Sequence, residues 1–376
     1  MLIVRRSIDA VIGAAISVTF RVELITFPVL NQLKPFEPIS YPIEQQPGTG
    51  ETLEVAPGLR WLRMPLPFEL NHINLWLLEE DDGWTIVDTG LNLDDLKRHW
   101  EAVLDAHCRE KPVKRIIVTH CHPDHLGLAR WLGDKLKVDT WITQGEILNA
   151  YAWFHQLPNY DVDGMVDFFC RHGLDPARAE MLHGRGPTYR DRVDGLPTQY
   201  RRLLEADFVR IGGHDWRVIV GYGHSPEHAA LYCAELKVLI SGDMLLPRIS
   251  TNVSVMSATP DGNPLKLFLD SVERLTELPD DTLVLPSHGR PFRGIHARAA
   301  QLAEHHRERL AALVTACDTP KTACELIPTL FQRELDAHQT MFAMGESIAH
   351  LNYLEHAQKV RKSHDDNGTI RFVANR

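Results

Sequence analysis

Thr119-His120-Cys121-His122-Pro123-Asp124-His125 places four side chains able to ligate a metal within six residues, directly behind an apolar run expected to form a strand at Arg115 to Val118. A loop leaving a strand can turn all four toward one point. A regular helix cannot, because positions i and i+2 face apart. Neutral imidazole together with carboxylate is a ligand set that zinc favours, and iron and manganese also accept it. A chance polar loop accounts for one His-x-His pair but not for this whole run.

Three more short motifs sit behind expected strands. Gly221-Tyr222-Gly223-His224-Ser225-Pro226-Glu227-His228 follows the strand read at Trp216 to Val220. Ser241-Gly242-Asp243-Met244 follows Val238 to Ile240, and Pro286-Ser287-His288-Gly289 follows Thr282 to Leu285. Each puts an imidazole or a carboxylate at a strand end beside glycine, where the backbone can turn sharply. Upstream, a hairpin is expected from Ile73 to Glu79 and Trp84 to Val87, around Asp81-Asp82-Gly83. It ends in Asp88-Thr89-Gly90. Apolar spacing predicts helices over Leu93 to His107 and Leu126 to Leu136. Strand–helix alternation of this kind argues for an α/β sandwich.

The frame around these motifs is ordinary for a globular chain. The 376 residues are 44% hydrophobic and 24% charged, which excludes global disorder and allows a sizeable core. The net charge of −10 disfavours nucleic acid as the main partner. Six scattered cysteines form no CxxC pair and no disulfide framework, which fits a reducing cytoplasm. No run of 18 uncharged apolar residues exists, so no membrane span is expected. Residues 1–52 read as an extension and a Pro/Gly-rich linker, and a short signal peptide at Met1 to Phe20 is the less favoured reading. The folded body is expected over 53–300, with a helical insertion or lid at 145–205. A C-terminal part over 301–376 is helical and closes on a hairpin around Asp366-Asn367-Gly368. It carries nine Lys/Arg against ten Asp/Glu, so it is not a basic module.

The four metal motifs, in this order, resemble the metallo-β-lactamase superfamily over roughly Leu53 to Ala300. The resemblance implies an αβ/βα four-layer sandwich with a dinuclear site at one edge. His120, His122 and His224 would hold one cation, Asp124, His125 and His288 the other, and Asp243 would bridge them. Asp88 would support a ligand imidazole from behind. Asp243 separates the chain from true β-lactamases, which lack that carboxylate, and His122 separates it from the flavodiiron branch, which has Glu there. The metal motifs are similar to those of glyoxalase II, lactonase and phosphodiesterase branches. The tail from Thr322 to Phe372 resembles the winged-helix-like appendage of a branch that includes endoribonucleases. Tyr222 and Glu227 depart from the usual Pro-Gly-His-Thr/Ser-Pro-Gly-His pattern, which leaves the ligand His224 in place.

What the resemblance implies chemically is a hydrolase with two divalent ions, zinc first and iron or manganese next. A hydroxide bridging the metals would attack a thioester, ester or lactone carbonyl, with Asp124 and Asp243 fixing it. The expected partner is a small acyl substrate, and a homodimer fits the tail. The alternatives are a phosphodiesterase or endoribonuclease, a mononuclear-iron sulfur dioxygenase, and a non-catalytic interaction protein. Among the other residues, His228 reads as a supporting histidine and Tyr222 as a candidate substrate contact. Cys121 is expected to point away from its neighbours. His305 and His306, beside Glu304, Arg307 and Glu308, read as a solvated helix face. Trp153, Phe154, Phe168 and Phe169 read as core more than as pocket lining.

Overall fold

The computed structural model describes residues 38–68, 70–184 and 188–375; the signal-peptide reading at Met1 to Phe20 lies outside them. The first half of the chain runs β1 (Thr52–Ala56), β2 (Leu59–Pro65), β3 (His72–Glu80), β4 (Gly83–Val87), α1 (Asp94–His107), β5 (Val113–Ile117), α2 (Pro123–Leu126), α3 (Ala129–Leu136) and β6 (Thr140–Ile142). Then come α4 (Gln144–Phe154), α5 (Val162–Arg171), α6 (Pro176–His183), α7 (Thr188–Asp191) and β7 (Tyr200–Arg202). The second half has β8 (Phe208–Ile211), β9 (His214–Gly221), β10 (His228–Cys233), β11 (Val238–Gly242), α8 (Pro264–Leu275), β12 (Leu283–Pro286) and α9 (Ile295–Ala316). The tail adds α10 (Ala323–Leu330), α11 (Ala337–His356), β13 (Val360–His364) and β14 (Ile370–Ala374).

The strands form a seven-stranded sheet in the order β1 to β7 and a five-stranded sheet in the order β12-β11-β10-β9-β8. Side-chain alternation explains why the sheets stack. On β3, Trp76 and Leu78 join the layer between the sheets, while Ile73, Leu75 and Leu77 face the helices outside. On β9, Trp216, Val218 and Val220 point inward, and Ile219 points to the other helical layer. α1 and α3 cover the first sheet, α8 and α9 the second, so the expected αβ/βα sandwich is what the chain forms. α1 presents Leu96, Trp100, Val103 and Leu104 at helical spacing, with Asp94 and Asp95 complementing its N-terminal dipole. α8 presents Leu265, Phe268, Leu269, Val272 and Leu275 at helical spacing, with Asn263 capping it and Pro264 in its first turn.

Three features depart from the sequence reading. The segment 145–205 is mostly helical but also carries β7, which pairs in parallel with β6 at the edge of the first sheet. Its helices α5 and α6 pack into the core: Val166, Phe168, Phe169 and Leu182 share one apolar cluster with Leu326, Met344 and Ile348 of the tail. The linker stretch is also partly docked, since Ser40 and Arg293 exchange backbone hydrogen bonds of 3.2 and 2.9 Å. Finally, α9 runs unbroken through residue 300, and His306 on it is buried, not solvated. It packs against tail His350 and loop Ser250, contacts that lie beyond the reach of local spacing.

The two sheets are stitched together at one end by Asn74, which is fully buried. Its backbone N–H donates to Ser287 O, and its amide nitrogen donates to Pro286 O and Gly289 O at 2.8 and 2.9 Å. Its side-chain oxygen accepts from Trp61 Nε1. Leaving any of these buried groups unpaired would cost ~1–3 kcal/mol, so the edge where the sheets meet is held rigidly.

Candidate metal centre

That edge carries every motif. β4 and β5 are parallel, as are β11 and β12, so the C-terminal ends of each pair lie side by side. Asp88 leaves β4 with φ of 62°, a left-handed conformation uncommon for a non-glycine residue. The surrounding bonds hold it there: Oδ1 accepts from Thr119 N–H and Oδ2 from the Thr119 hydroxyl, both at 2.8 Å. The loop after β5 supplies His120 and His122. Asp124 and His125 follow on the first turn of α2, whose N-terminus carries Pro123. Local geometry is therefore half loop and half helix.

The ligand atoms fall into two adjoining groups, His120, His122, His224 and Asp243, and then Asp124, His125 and His288. Hydrogen bonding fixes the tautomers. His224 Nδ1 lies 2.8 Å from the Asn252 carbonyl, which only accepts, so Nδ1 carries the hydrogen and Nε2 a lone pair. Thr119 gives its hydroxyl hydrogen to Asp88 and so accepts from His120 Nδ1 at 3.0 Å. The two Nε2 lone pairs then face each other at 3.2 Å, with His122 Nδ1 2.9 Å from His120 Nε2. In the second group His125 Nδ1 donates to Asp88 Oδ2 at 2.8 Å, and His288 Nδ1 donates to His72 O at 2.8 Å.

Asp243 joins the groups. Its Oδ2 lies 3.5 Å from His224 Nε2, while its Oδ1 lies 3.4 Å from His288 Nε2 and 3.7 Å from His125 Nε2. Asp124 Oδ2 is 3.4 Å from His288 Nε2 and 3.7 Å from His125 Nε2. His125 Nε2 and Asp243 Oδ1 are buried and make no hydrogen bond. Orphaned buried groups are costly, and facing lone pairs repel. A cation in each group removes both problems, so the donor set fits divalent metals.

The electrostatics agree. Burial and the neighbouring imidazoles hold His120 well below its ordinary value, and burial with His224 brings His122 to about 3, so both are neutral donors. Burial alone would raise the Asp124 and Asp243 carboxyls. The facing His125 and His288 instead hold Asp124 at about 2 and Asp243 well below the usual range. Burial likewise opposes charge on His125, but Asp88, Asp124 and Asp243 lift it to about 9, and the same two central carboxylates raise His288. The carboxylates thus draw positive charge to this edge, as protons on His125 and His288 in the metal-free chain.

The structure brings all seven expected ligands together and puts Asp88 behind His125. His228 is buried, and its Nε2 accepts from Asp243 N–H at 3.1 Å, so it holds the Asp243 backbone in place. Tyr222 is half-buried against the layer between the sheets, and its backbone N–H donates to Ser271. Cys121 Sγ points away from the ligands and accepts from Asn149 at 3.2 Å.

One residue of consequence carries no motif. Glu146, on α4 and fully buried, accepts from Cys121 N–H at 2.9 Å, from the Ser225 hydroxyl at 2.6 Å and from Glu227 N–H at 2.6 Å. It ties the His120/His122 loop to the His224 loop. Glu227 reciprocates, with its carboxylate accepting from Gly145 N–H at 2.7 Å in the first turn of α4. The departure at Glu227 is thereby explained: it anchors a helix. A run of Gly145-Glu146 gives no spacing signal, and only the fold shows its reach.

Comparisons with known proteins agree with this geometry. The family model described as Metallo-beta-lactamase superfamily matches residues 69–288, and Metallo-beta-lactamase-like, C-terminal domain matches residues 310–375. A crystal structure of a beta-lactamase domain protein from Burkholderia ambifaria is 49% identical, with a TM-score of 0.83 over 90% of this chain and 98% of that one. The "Probable metallo-hydrolase YqjP" of Bacillus subtilis (strain 168) is 26% identical over 83% of this chain and 96% of its own. The Homo sapiens "Acyl-coenzyme A thioesterase MBLAC2" is 24% identical over 62% of this chain and 79% of its own.

Proposed function

The chain belongs to the metallo-beta-lactamase superfamily, and from that premise we propose that it hydrolyses small acyl thioesters with two divalent cations, zinc the best match. His120, His122 and His224 would hold one and Asp124, His125 and His288 the other, with Asp243 shared. The observation that carries the reading is Asp243, whose two oxygens face the two groups separately. When bound, such a pair supplies Lewis acidity and lowers the pKa of a water to ~7.

The chain's own residues do the rest. Asp88 and the Asn252 and His72 carbonyls fix the imidazole tautomers, so lone pairs point inward without reorganisation. Asp124 is the most exposed of the central carboxylates, with 20% of its side chain open against 10% for Asp243, so substrate arrives over Asp124. As metal ligands both carboxylates would be deprotonated, with no proton to give a departing group. That favours a leaving group that is stable as an anion, such as a thiolate, whose parent thiol has a pKa of ~8.5. The human relative named as an acyl-coenzyme A thioesterase supports the same class.

The test is a panel of acyl-coenzyme A, glutathione thioester, lactone and RNA substrates with metal-loaded and metal-stripped protein. Metal-dependent thiol release, lost in His120→Ala and Asp124→Ala, is expected. Cleavage of RNA without thioester turnover, or thioester turnover that persists in the stripped double variant, overturns the reading.

A further inference from the structure

The segment Ser250 to Met256 has no regular secondary structure, yet it sets the tautomer of His224. Asn252 O and Thr251 Oγ1 lie 2.8 and 2.9 Å from His224 Nδ1. What holds this segment comes from α9 and the tail. The Glu346 carboxyl on α11 lies beside the Asn252 side chain, whose Oδ1 accepts from Ser254 Oγ at 2.7 Å. Val255 N–H donates to Gly345 O at 3.2 Å. A Cβ on Gly345 would lie 2.6 Å from Ser254 Oγ, so α11 approaches as closely as glycine permits. Val253 and Val255 are buried in the same cluster as Met344 and Ile348.

A second strand of contacts runs in one direction. His350 Nδ1 donates to Glu346 O at 2.8 Å, so its Nε2 accepts from His306 Nδ1 at 3.1 Å. His306 Nε2 then accepts from the Ser250 hydroxyl at 3.2 Å. Burial keeps both imidazoles neutral, His350 at about 4 and His306 at about 2.

We propose that Glu346, through Asn252, is a positioning residue for the metal ligand His224, so that the C-terminal part of the chain sets the affinity of the three-histidine site. The inference rests on the reading of this edge as a metal centre. Removing the Glu346 carboxyl frees the Asn252 side chain and loosens the carbonyl that orients His224. The second group, Asp124, His125 and His288, takes no support from this segment and keeps its affinity.

The experiment is titration of metal-free protein with Co2+, read by the visible absorption of the bound ion and by circular dichroism for folding. Wild type takes up two equivalents. Glu346→Ala weakens one of them by ~10-fold, the low end of what loss of a ligand's supporting partner costs, and alters the spectrum of that site alone. Glu346→Gln retains an acceptor for Asn252 and stays within about twofold of wild type. Should Glu346→Ala fail to fold, Asn252→Ala removes the same link while leaving the backbone carbonyl in place. A folded Glu346→Ala or Asn252→Ala that binds two equivalents as tightly as wild type overturns the inference. Wild type that binds no Co2+ overturns the metal reading itself.

Discussion

Replacement of Glu146 isolates the contribution of a buried carboxylate that never touches the ligands. Its Oε1 accepts from Ser225 and from Glu227 N–H, and its Oε2 accepts from Cys121 N–H. In Glu146→Gln the amide oxygen can keep the first two bonds, but the amide nitrogen then faces the Cys121 N–H donor to donor. One charge-assisted bond is lost and one buried N–H is left unpaired, a cost of ~1.5–3 kcal/mol. Glu146→Ala loses all three bonds and leaves a void, for ~3–6 kcal/mol, a large share of the ~5–15 kcal/mol that holds a typical domain. Urea unfolding of metal-free protein, followed by circular dichroism, measures both losses. Metal affinity should fall by ~10–100-fold in Glu146→Ala where it still folds, because both loops flanking the ligands lose their tie. Stability and Co2+ affinity of Glu146→Ala within ~0.5 kcal/mol of wild type would refute the reasoning, since a surface substitution costs no more than that.

Other outcomes follow from the same contacts. Gly223 has φ of 98°, and a Cβ there would lie 2.3 Å from Pro264 O and 2.5 Å from Phe268 N, so Gly223→Ala should lose several kcal/mol in denaturant unfolding and displace His224. His172, His306 and His350 are buried and neutral, with pKa values lowered to about 4, 2 and 4. A folded value below the unfolded one contributes stability that is present above ~6.5 and lost as pH falls, so at pH 5.5 each costs ~1.4 kcal/mol relative to pH 8. Unfolding measured from pH 8 to 5 should show that slope, and His172→Phe should flatten it by about one histidine's share. Asp88→Asn removes the anionic partner of His125 Nδ1 and should lower metal affinity ~10-fold or more, read by competition with a chelator.

The clustering of the seven candidate ligands was legible because each sits within a few residues of a strand end, beside glycine or proline, where local sequence dictates local geometry. Asp88 was legible for the same reason. Glu146 was not: its three partners lie 25, 79 and 81 residues away, and nothing in Gly145-Glu146-Ile147 announces them. Asn74, which joins the sheets across more than 200 residues, escaped for the same cause. His306 was misplaced because charged neighbours Glu304, Arg307 and Glu308 suggested an exposed face, whereas α11 covers its own side of the helix. Local pattern reports which residues meet water on an isolated element; it does not report what another element later covers.

Two cations sharing one carboxylate would show in metal analysis of the purified chain. Elemental analysis combined with a metal-loaded crystal structure should give two divalent ions per chain, ~3.5–4 Å apart, bridged by Asp243, with His288→Ala retaining only the ion held by His120, His122 and His224. A single iron per chain, or wild-type protein that retains no metal after loading and gel filtration, would mean that Asp243 bridges no metal pair.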